Sequence, residues 1–370
     1  MPAIHLPAQT ADRFVSVFGH RPVATAAALA AGFTRHQLRA ALSRGLLSSP
    51  RHGVVVAASP VAPSAVDTAA GRDVHAHGGG DADPSRIAAE RRVAHLADAR
   101  AALRVVGPGA FATGETAAAV LGLASPRSAP PEVVTLCRPG CRDFAGPGLV
   151  VRGSPIDPRF VTHVDDVPCT DLRRTAVDLA RGRQLPEALI ALDAAARHLV
   201  SGMSGTQHDN NATRLRSAAH DRVLRDRARR ELAYAVASCS GWPGVVAARR
   251  ALQYVDPAAE SALESRSRGW FLVAGLPALE IGVAIAVGDR TYWADFCRRD
   301  ARVIGEADGW SKYGTTDSAV RAHLTAERER QRDLERDGWQ VVRWTSTDHR
   351  RTVVDRMRAA LIPPPPRNSH

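Results

Sequence analysis

Acidic side chains and one lysine are concentrated in a single stretch of the chain, residues 291–313. Asp295 falls within one apolar run, and Glu306 and Asp308 end the next. Side chains alternate along a strand, so Glu306 and Asp308 share one face. If the strand of Asp295 pairs alongside with its carboxylate on that face, the three acids converge on a point suited to Mg²⁺. The spacing therefore indicates a metal-dependent site.

The elements that must position these acids read as a three-stranded antiparallel meander. The apolar runs AIAV, YWADF and ARVIG are separated by turn residues at 288–290 and 298–300. Such residues between short β-prone runs are typical of tight hairpins. The preceding segment, PAAESALESRSRGWFLVAG, predicts a helix with Glu260 and Glu264 on one face.

Lys312 is the only lysine among the 49 Lys and Arg residues. A lysine amine can lose its proton when it is desolvated, whereas a guanidinium effectively cannot. A retained lysine six positions after Glu306 is therefore a candidate for a role that Arg cannot fill. The alternative is that a single lysine remains by chance in an arginine-biased composition.

Hydrolysis of a phosphodiester bond needs a divalent ion that polarises the phosphoryl group and activates a water molecule. In this scheme Glu264 holds a metal-bound water, and Lys312 stabilises the developing negative charge or helps to position the nucleophile. The Ala307 carbonyl is a further candidate ligand. The predicted metal ligands are Asp295, Glu306 and Asp308, and the predicted catalytic residues are Glu264, Asp295, Glu306 and Lys312.

Composition favours a polyanionic partner. The 370 residues carry a formal net charge of +11, and 45% of them are hydrophobic, enough for two or three domains with cores. Residues 256–362 hold 17 basic and 17 acidic side chains, so the excess positive charge lies upstream. The expected partner is double-stranded DNA rather than a membrane.

Cysteine usage and hydropathy indicate a compartment. The 5 cysteines form no CxxC pair, as expected of thiols in a reducing cytoplasm. No apolar run approaches the roughly 18 residues of a membrane span, and the first residues do not read as a signal peptide. We therefore expect a cytoplasmic protein.

Residues 1–57 predict a winged helix-turn-helix. Thr10, Thr25 and Thr34 are candidate caps of three helices, the first of which carries Phe14, Val17 and Phe18. Leu38, Ala41 and Leu42 are the predicted core of the third helix, which Gly45 ends. The run LLSSPRHGVVVA supplies two strands and a wing.

The outward face of that third helix is basic. The segment 1–57 has six arginines against Asp12 alone, a net charge of +5. Arginines at the start of a recognition helix can reach guanine edges, and wing arginines contact phosphates. The alternative is an alanine-rich packing unit whose arginines are only solvated. The predicted DNA-binding residues are Arg35, His36, Arg39, Arg44 and Arg51.

The rest of the chain supplies context. Arg173, Arg174 and Asp178 are read as a structural ion-pair network in which Asp178 fixes a helix start. The predicted organisation is α/β (α+β): a winged helix-turn-helix at 1–57, a flexible linker at 58–85, a middle α/β domain at 86–200, a disordered insertion at 201–222, a C-terminal mixed sheet flanked by helices at 256–362, and a disordered tail at 363–370.

Two family resemblances emerge from these motifs. Glu264, Asp295, the run EADG at 306–309 and Lys312 resemble the PD-(D/E)XK nuclease superfamily, and within it the very-short-patch-repair-like domains, over about 256–350. The resemblance implies a restriction-endonuclease-like fold, Mg²⁺ and cleavage of DNA. Asp308 occupies the position where that family carries lysine. An alternative is an inert scaffold with its acids paired to Arg298, Arg302 or Arg343.

Residues 1–200 resemble bacterial AbiEi-type antitoxins and transcriptional regulators, on the runs GETAAAVLGL and TDLRRTAVDLA. This resemblance implies promoter binding through Arg35 and Arg39 and a cognate toxin as partner. Two hypotheses follow. One is a DNA-targeted Mg²⁺-dependent endonuclease, and the other is a regulator of a toxin-antitoxin pair with no chemistry.

Overall fold

The computed structural model of the chain describes residues 7–20, 22–49, 53–57, 84–127, 131–206, 212–308 and 317–362. These residues form helices, one antiparallel sheet and two mixed sheets, so the predicted α+β class is confirmed. Residues 58–83 of the predicted linker and the predicted tail, 363–370, lie outside the described residues. None of the described helices combines the length and apolarity needed to cross a bilayer.

Two compact units divide the chain. One comprises residues 1–120 and 129–169, and the other comprises 121–128 and 170–370. The boundary at 169 differs from the predicted middle domain, 86–200. The helices that follow residue 170 belong to the same compact unit as the C-terminal sheet.

The first unit begins with three short helices and a three-stranded antiparallel sheet of order β1-β3-β2. This is the element order predicted for a winged helix-turn-helix, and residues 50–52 of the predicted wing lie outside the described residues. The elements are α1 (Pro7–Phe18), β1 (Val23–Ala24), α2 (Thr25–Ala30), α3 (Arg35–Ser43), β2 (Leu47–Ser48) and β3 (Val54–Ala57).

A capping box fixes the start of α3. The Gln37 amide donates to Thr34 Oγ1 at 3.1 Å, and the Thr34 amide donates to Gln37 Oε1 at 2.9 Å. The prediction for Thr34 is confirmed. Those for Thr10 and Thr25 are wrong, because α1 already begins at Pro7 and α2 begins at Thr25 itself after an uncapped Ala24.

Alternating burial anchors α3 to the rest of the winged helix. Leu38 and Ala41 are buried with Phe14 and Phe33, as predicted for α3, whereas Val17 of α1 is exposed. Because Leu38 and Ala41 face the core, the opposite side of α3 faces solvent.

The first unit continues with a mixed sheet of order β6-β7-β5-β4-β9-β8. In the motif GETAAAVLGL, Thr116 is fully buried, and its hydroxyl accepts from the Thr135 amide at 2.9 Å and contacts His95 Nε2 at 3.1 Å. That motif is therefore structural. The elements are α4 (Pro84–Val106), β4 (Phe111–Ala112), α5 (Gly114–Leu121), β5 (Val134–Cys137), β6 (Phe144–Gly146), β7 (Leu149–Arg152), β8 (Val161–Val164) and β9 (Val167–Thr170).

The second unit opens with helices around α7, which is buried along much of its length. Arg268 of α11 donates to both oxygens of Asp193 of α7, at 2.8 and 2.7 Å. This buried pair is one reason why α7 belongs to the C-terminal unit. The helices are α6 (Leu172–Ala180), α7 (Leu185–Ser204), α8 (Ala212–His220), α9 (Arg222–Ser238), α10 (Val245–Leu252) and α11 (Ala262–Val273).

The segment 201–222, predicted to be disordered, is largely helical in the described residues. It contains the end of α7 and all of α8, while 207–211 lie outside the described part. The prediction failed because α8 is polar on most sides and is held by few contacts: Ala219 is buried, and Arg216 pairs with Glu260.

A four-stranded sheet of order β10-β11-β12-β13 completes the second unit. The predicted meander is confirmed, since β10-β11 and β11-β12 are antiparallel. β13 returns parallel to β12 after the crossover helix α12. The elements are β10 (Glu280–Val287), β11 (Arg290–Arg298), β12 (Val303–Asp308), α12 (Asp317–Arg336), β13 (Gln340–Thr345) and α13 (Arg350–Leu361).

Each face of this sheet has its own core. On one face, Phe296 and Trp344 pack with Phe271 of α11 and with α13. On the other, Ile304 packs with Leu334 of α12. Because side chains alternate along β12, Glu306 shares the face of Ile304 and points toward α12.

Candidate functional site

The outward side of α3 is a basic surface. Arg35, His36 and Arg39 are exposed on it, and Arg44 is exposed just beyond its end. These four predicted DNA-binding residues therefore face solvent together. The fifth, Arg51, lies outside the described residues.

Little in the described part of the winged helix neutralises this surface. Among the basic side chains of this surface in the described residues, one makes a hydrogen bond within the protein: Arg39 Nε donates to the Arg35 carbonyl at 3.4 Å. Among the described residues, no carboxylate pairs with Arg35, Arg39 or Arg44. By contrast Arg13 is structural, since it stacks on Phe33 at 4.5 Å. The surface can contact an external anion without first breaking an ion pair.

A second group of predicted residues lies where α11 meets the C-terminal sheet. Glu264 is 5% exposed, its carboxylate accepts from the Glu260 amide at 2.8 Å, and its own amide donates to Ser261 Oγ at 3.1 Å. Burial, followed by repulsion from Asp295, raises the pKa of Glu264 to about 8. At neutral pH this carboxyl is therefore mostly protonated.

Asp295 links β11 to β12. Its Oδ2 accepts from the Ala307 amide at 2.8 Å, one step beyond the last ladder pair, Phe296 with Gly305. The structure thus brings Asp295 close to Glu264 on one side and to the β12 backbone beside Glu306 on the other, whereas no contact joins Glu264 to Glu306 among the described residues.

Glu306 is held by arginines. It is 4% exposed, and both of its oxygens accept from Arg330 of α12, one of them at 2.6 Å from Nη1. Arg343, its register partner on β13, lies 3.6 Å away. The alternative of acids paired to arginine holds for Arg343, whereas Arg298 pairs with Asp300 and Arg302 with Asp337.

A further carboxylate closes this network. Glu327 of α12 pairs with Arg343 and lies 3.4 Å from Arg330. Burial opposes the charge on Glu327 and Arg330, yet the hydrogen bond from Arg343 lowers the pKa of Glu327 and the one to Glu306 raises the pKa of Arg330. The ionised forms of Glu327 and Arg330 are therefore favoured. The negative charges of Glu306 and Glu327 are balanced by the positive charges of Arg330 and Arg343.

This arrangement does not fit Mg²⁺ at the predicted ligands. Mg²⁺ requires carboxylate lone pairs at short range, and those of Glu306 are occupied by a guanidinium. Among the described residues, no group of three or more His, Cys, Asp or Glu side chains could hold a metal ion. The predicted ligand set of Asp295, Glu306 and Asp308 is thus not assembled as a metal centre in the described structure.

Two further predicted site residues are Asp308 and Lys312. Asp308 ends β12, half-buried, with Thr345 as its register partner. Lys312 lies outside the described residues. Two arginines that the sequence did not single out are part of the cluster instead, Arg330 and Arg216.

Arg216 covers the cluster from α8. Its guanidinium donates to both oxygens of Glu260, at 2.8 and 3.0 Å, and stacks on the Trp293 ring at 4.8 Å. The hydrogen bond to Glu260, above all, raises the pKa of Arg216. Sequence spacing gave one usable signal for Arg330, the i and i+3 pair with Glu327 on a helix, and none for Arg216.

The motif TDLRRTAVDLA has a structural explanation. Asp171, not Asp178, caps α6, accepting from the Arg174 amide at 2.9 Å. Asp178 pairs with Arg174 at 3.0 Å, and that guanidinium stacks on Trp242 at 4.2 Å. The predicted ion pair is confirmed, while the predicted role at the helix start is wrong.

No known family model matches the chain. Two uncharacterised proteins of Mycobacterium tuberculosis, one from strain CDC 1551 / Oshkosh and one from strain ATCC 25618 / H37Rv, are each 31% identical to it over 178 residues. The match covers 48% of this chain and 54% of each relative, so the chain spans about half the length of these curated relatives. Their names state no function.

Proposed function

We propose that this protein binds double-stranded DNA through its winged helix-turn-helix and acts as a transcriptional regulator without hydrolysing DNA. The observation that carries the proposal is the exposed, unneutralised basic side of α3, with Arg35, His36 and Arg39. In winged and other helix-turn-helix modules, the equivalent helix lies in the major groove.

The chemistry of the surface matches that of a duplex. A guanidinium can donate two hydrogen bonds to a guanine edge or neutralise a phosphate. Arg35 and Arg39 are separated by one helical turn, about 6 Å along the axis, so they can meet neighbouring base pairs or phosphates. The capping box of Thr34 and Gln37 holds the first turn of α3 in place for this contact.

Fluorescence anisotropy with labelled duplex DNA tests the proposal. Each of Arg35→Ala and Arg39→Ala should weaken binding by roughly 5- to 150-fold, the loss expected for one good arginine contact. Arg351→Ala is a matched control, because this arginine is 87% exposed on a helix of the other unit. Unchanged affinity in both α3 variants would refute DNA binding by this surface.

Mg²⁺-dependent hydrolysis is a second candidate function, favoured by one observation. Burial, and after it repulsion from Asp295, raises the pKa of Glu264, as happens to acids in many catalytic sites. Incubation of supercoiled plasmid with the protein and Mg²⁺ or Mn²⁺ decides between the candidates. Our proposal expects no nicking above that of an Asp295→Ala variant, and nicking that disappears in this variant would favour the endonuclease.

The regulator proposal includes two further points taken from the family resemblance. A cytoplasmic location and a cognate toxin encoded beside the gene would both suit a promoter-binding antitoxin. Repression of a reporter by the protein, lost in Arg39→Ala, would support regulation of its own promoter.

A further inference from the structure

The guanidinium of Arg330 lies at the centre of the acidic cluster. It donates to both oxygens of Glu306 and, through Nη2, to the Trp293 carbonyl at 2.6 Å. Three hydrogen bonds from one guanidinium therefore join α12 to β11 and β12. The Arg330 side chain is 19% exposed and that of Glu306 is 5% exposed, so solvent screens the pair only weakly.

Charge balance around Glu306 depends on this arginine. Asp295, whose carboxylate accepts from the amide of Ala307 next to Glu306, also favours the charged form of Arg330. Arg343 is 3.6 Å from Glu306, but its closer contact is with Glu327. Without Arg330, the carboxylates of Glu306 and Asp295 would therefore retain only part of their compensation.

We propose that Arg330 serves as the permanent cation of this site. Its guanidinium fills the place that a divalent ion would need beside Glu306, which keeps the wild-type cluster metal-free. The same carboxylates become a divalent-cation site once that guanidinium is removed. The site would then comprise Glu306 and Asp295.

The geometry explains why a guanidinium and a metal exclude each other here. A bidentate guanidinium uses the in-plane lone pairs of both carboxylate oxygens. Mg²⁺ would need those same lone pairs at about 2.1 Å. Both cations cannot occupy the space beside Glu306, and the tethered arginine pays no cost of association from solution.

Terbium luminescence tests the proposal directly. Tb³⁺ binds oxygen ligands, and an ion in the place of the Arg330 guanidinium would lie near Tyr292, whose ring centre is 6.0 Å from that guanidinium and whose phenol can sensitise its emission. Full-length wild-type protein should show no saturable emission at micromolar Tb³⁺, whereas Arg330→Met should show emission that Mg²⁺ and Ca²⁺ displace. Arg332→Met, an exposed position on the same helix, is the control and should behave as wild type.

Thermal unfolding gives a second readout, independent of luminescence. Arg330→Met should lower the Tm by at least about 5 °C, because it leaves buried carboxylates unpaired. Millimolar Mg²⁺ or Mn²⁺ should recover part of that loss in this variant and leave wild type unchanged. The double variant Glu306→Gln/Arg330→Met should lose less stability than the two single changes together, and it should not respond to the ions.

Two results would overturn the proposal. One is saturable Tb³⁺ binding by wild type that equals that of Arg330→Met, which would show that the arginine does not exclude the ion. The other is an Arg330→Met variant that keeps the wild-type Tm and gains no ion. If Arg330→Met does not fold, Arg330→Lys decides: the retained charge should keep the site metal-free, and Tb³⁺ binding by this variant would contradict the proposal.

Discussion

Glu264 shows how a single carboxyl can take its properties from where the chain places it. Ser261 caps α11, and this cap brings Glu264 into the first turn, beneath Glu260 and beside Asp295. The sequence pointed to this residue through its i and i+4 spacing from Glu260. It could not show that the side chain would be buried, which depends on α7, α8 and the sheet meeting around it.

Glu264 should make stability fall with rising pH. Its folded-state pKa of about 8 lies above the 4.5 of an ordinary glutamate, so the folded state binds more protons between these values. The contribution is fully present below about pH 4.5 and is lost as the pH rises through 8. Glu264→Gln, which keeps the shape without the charge, should be more stable than wild type at pH 8.5 by about 1 to 3 kcal/mol.

Urea unfolding of both proteins at pH 5 and pH 8.5 measures this difference. The advantage of the glutamine variant should grow between the two values. Parallel changes in the two proteins would show that Glu264 ionises normally in the folded state. Glu335→Gln, at an exposed position on α12, is a control that should not alter the pH dependence.

The contact between Arg330 and Glu306 could not be predicted from the sequence. Asp295 and Glu306 were identified correctly as neighbours, because alternation and hairpin spacing are local rules. Which cation faces them depends on how α12 returns over the sheet, a contact across 24 residues of chain. The same limit explains Arg216, which reaches the cluster from a helix that looked disordered.

At the scale of elements, the meander and the winged helix were predictable and the domain boundary was not. Turn residues and apolar periodicity located β10, β11 and β12, and a capping residue located α3. Several short strands of the first unit, among them β4 and β6, have too few residues to give a periodic signal. The boundary at 169 depends on α7 packing against α11, which no local pattern encodes.

The pair of Asp193 and Arg268 should be a major link between α7 and α11. Asp193 is fully buried, and it accepts from the Asp256 amide as well as from Arg268. Asp193→Ala should destabilise the protein by about 3 to 5 kcal/mol, because it leaves a buried guanidinium unpaired. Chemical denaturation followed by circular dichroism measures the effect.

A matched double variant separates pairing from packing. Asp193→Asn/Arg268→Met removes both charges, and it should be more stable than Asp193→Ala alone. If Asp193→Ala costs no more than a typical exposed substitution, within about 0.5 kcal/mol, the pair does not join these helices energetically.

At the scale of the whole molecule, the distribution of charge agrees with the division of roles that we propose. Residues 256–362 are balanced at 17 basic and 17 acidic side chains, and arginines in the sheet region are largely paired with neighbouring acids. The winged helix carries a net charge of +5 within residues 1–57. The unneutralised charges on α3 are therefore one place where an external polyanion should be attracted.

The dependence of duplex affinity on salt is the most direct measurement of that claim. Each phosphate neutralised by an arginine contributes a slope of about −0.9 to the plot of log affinity against log salt concentration. Wild type should give a steep slope, and the double variant Arg35→Ala/Arg39→Ala should be shallower by roughly 1 to 2. A flat response in wild type, or an unaltered slope in the double variant, would contradict DNA binding by the winged helix.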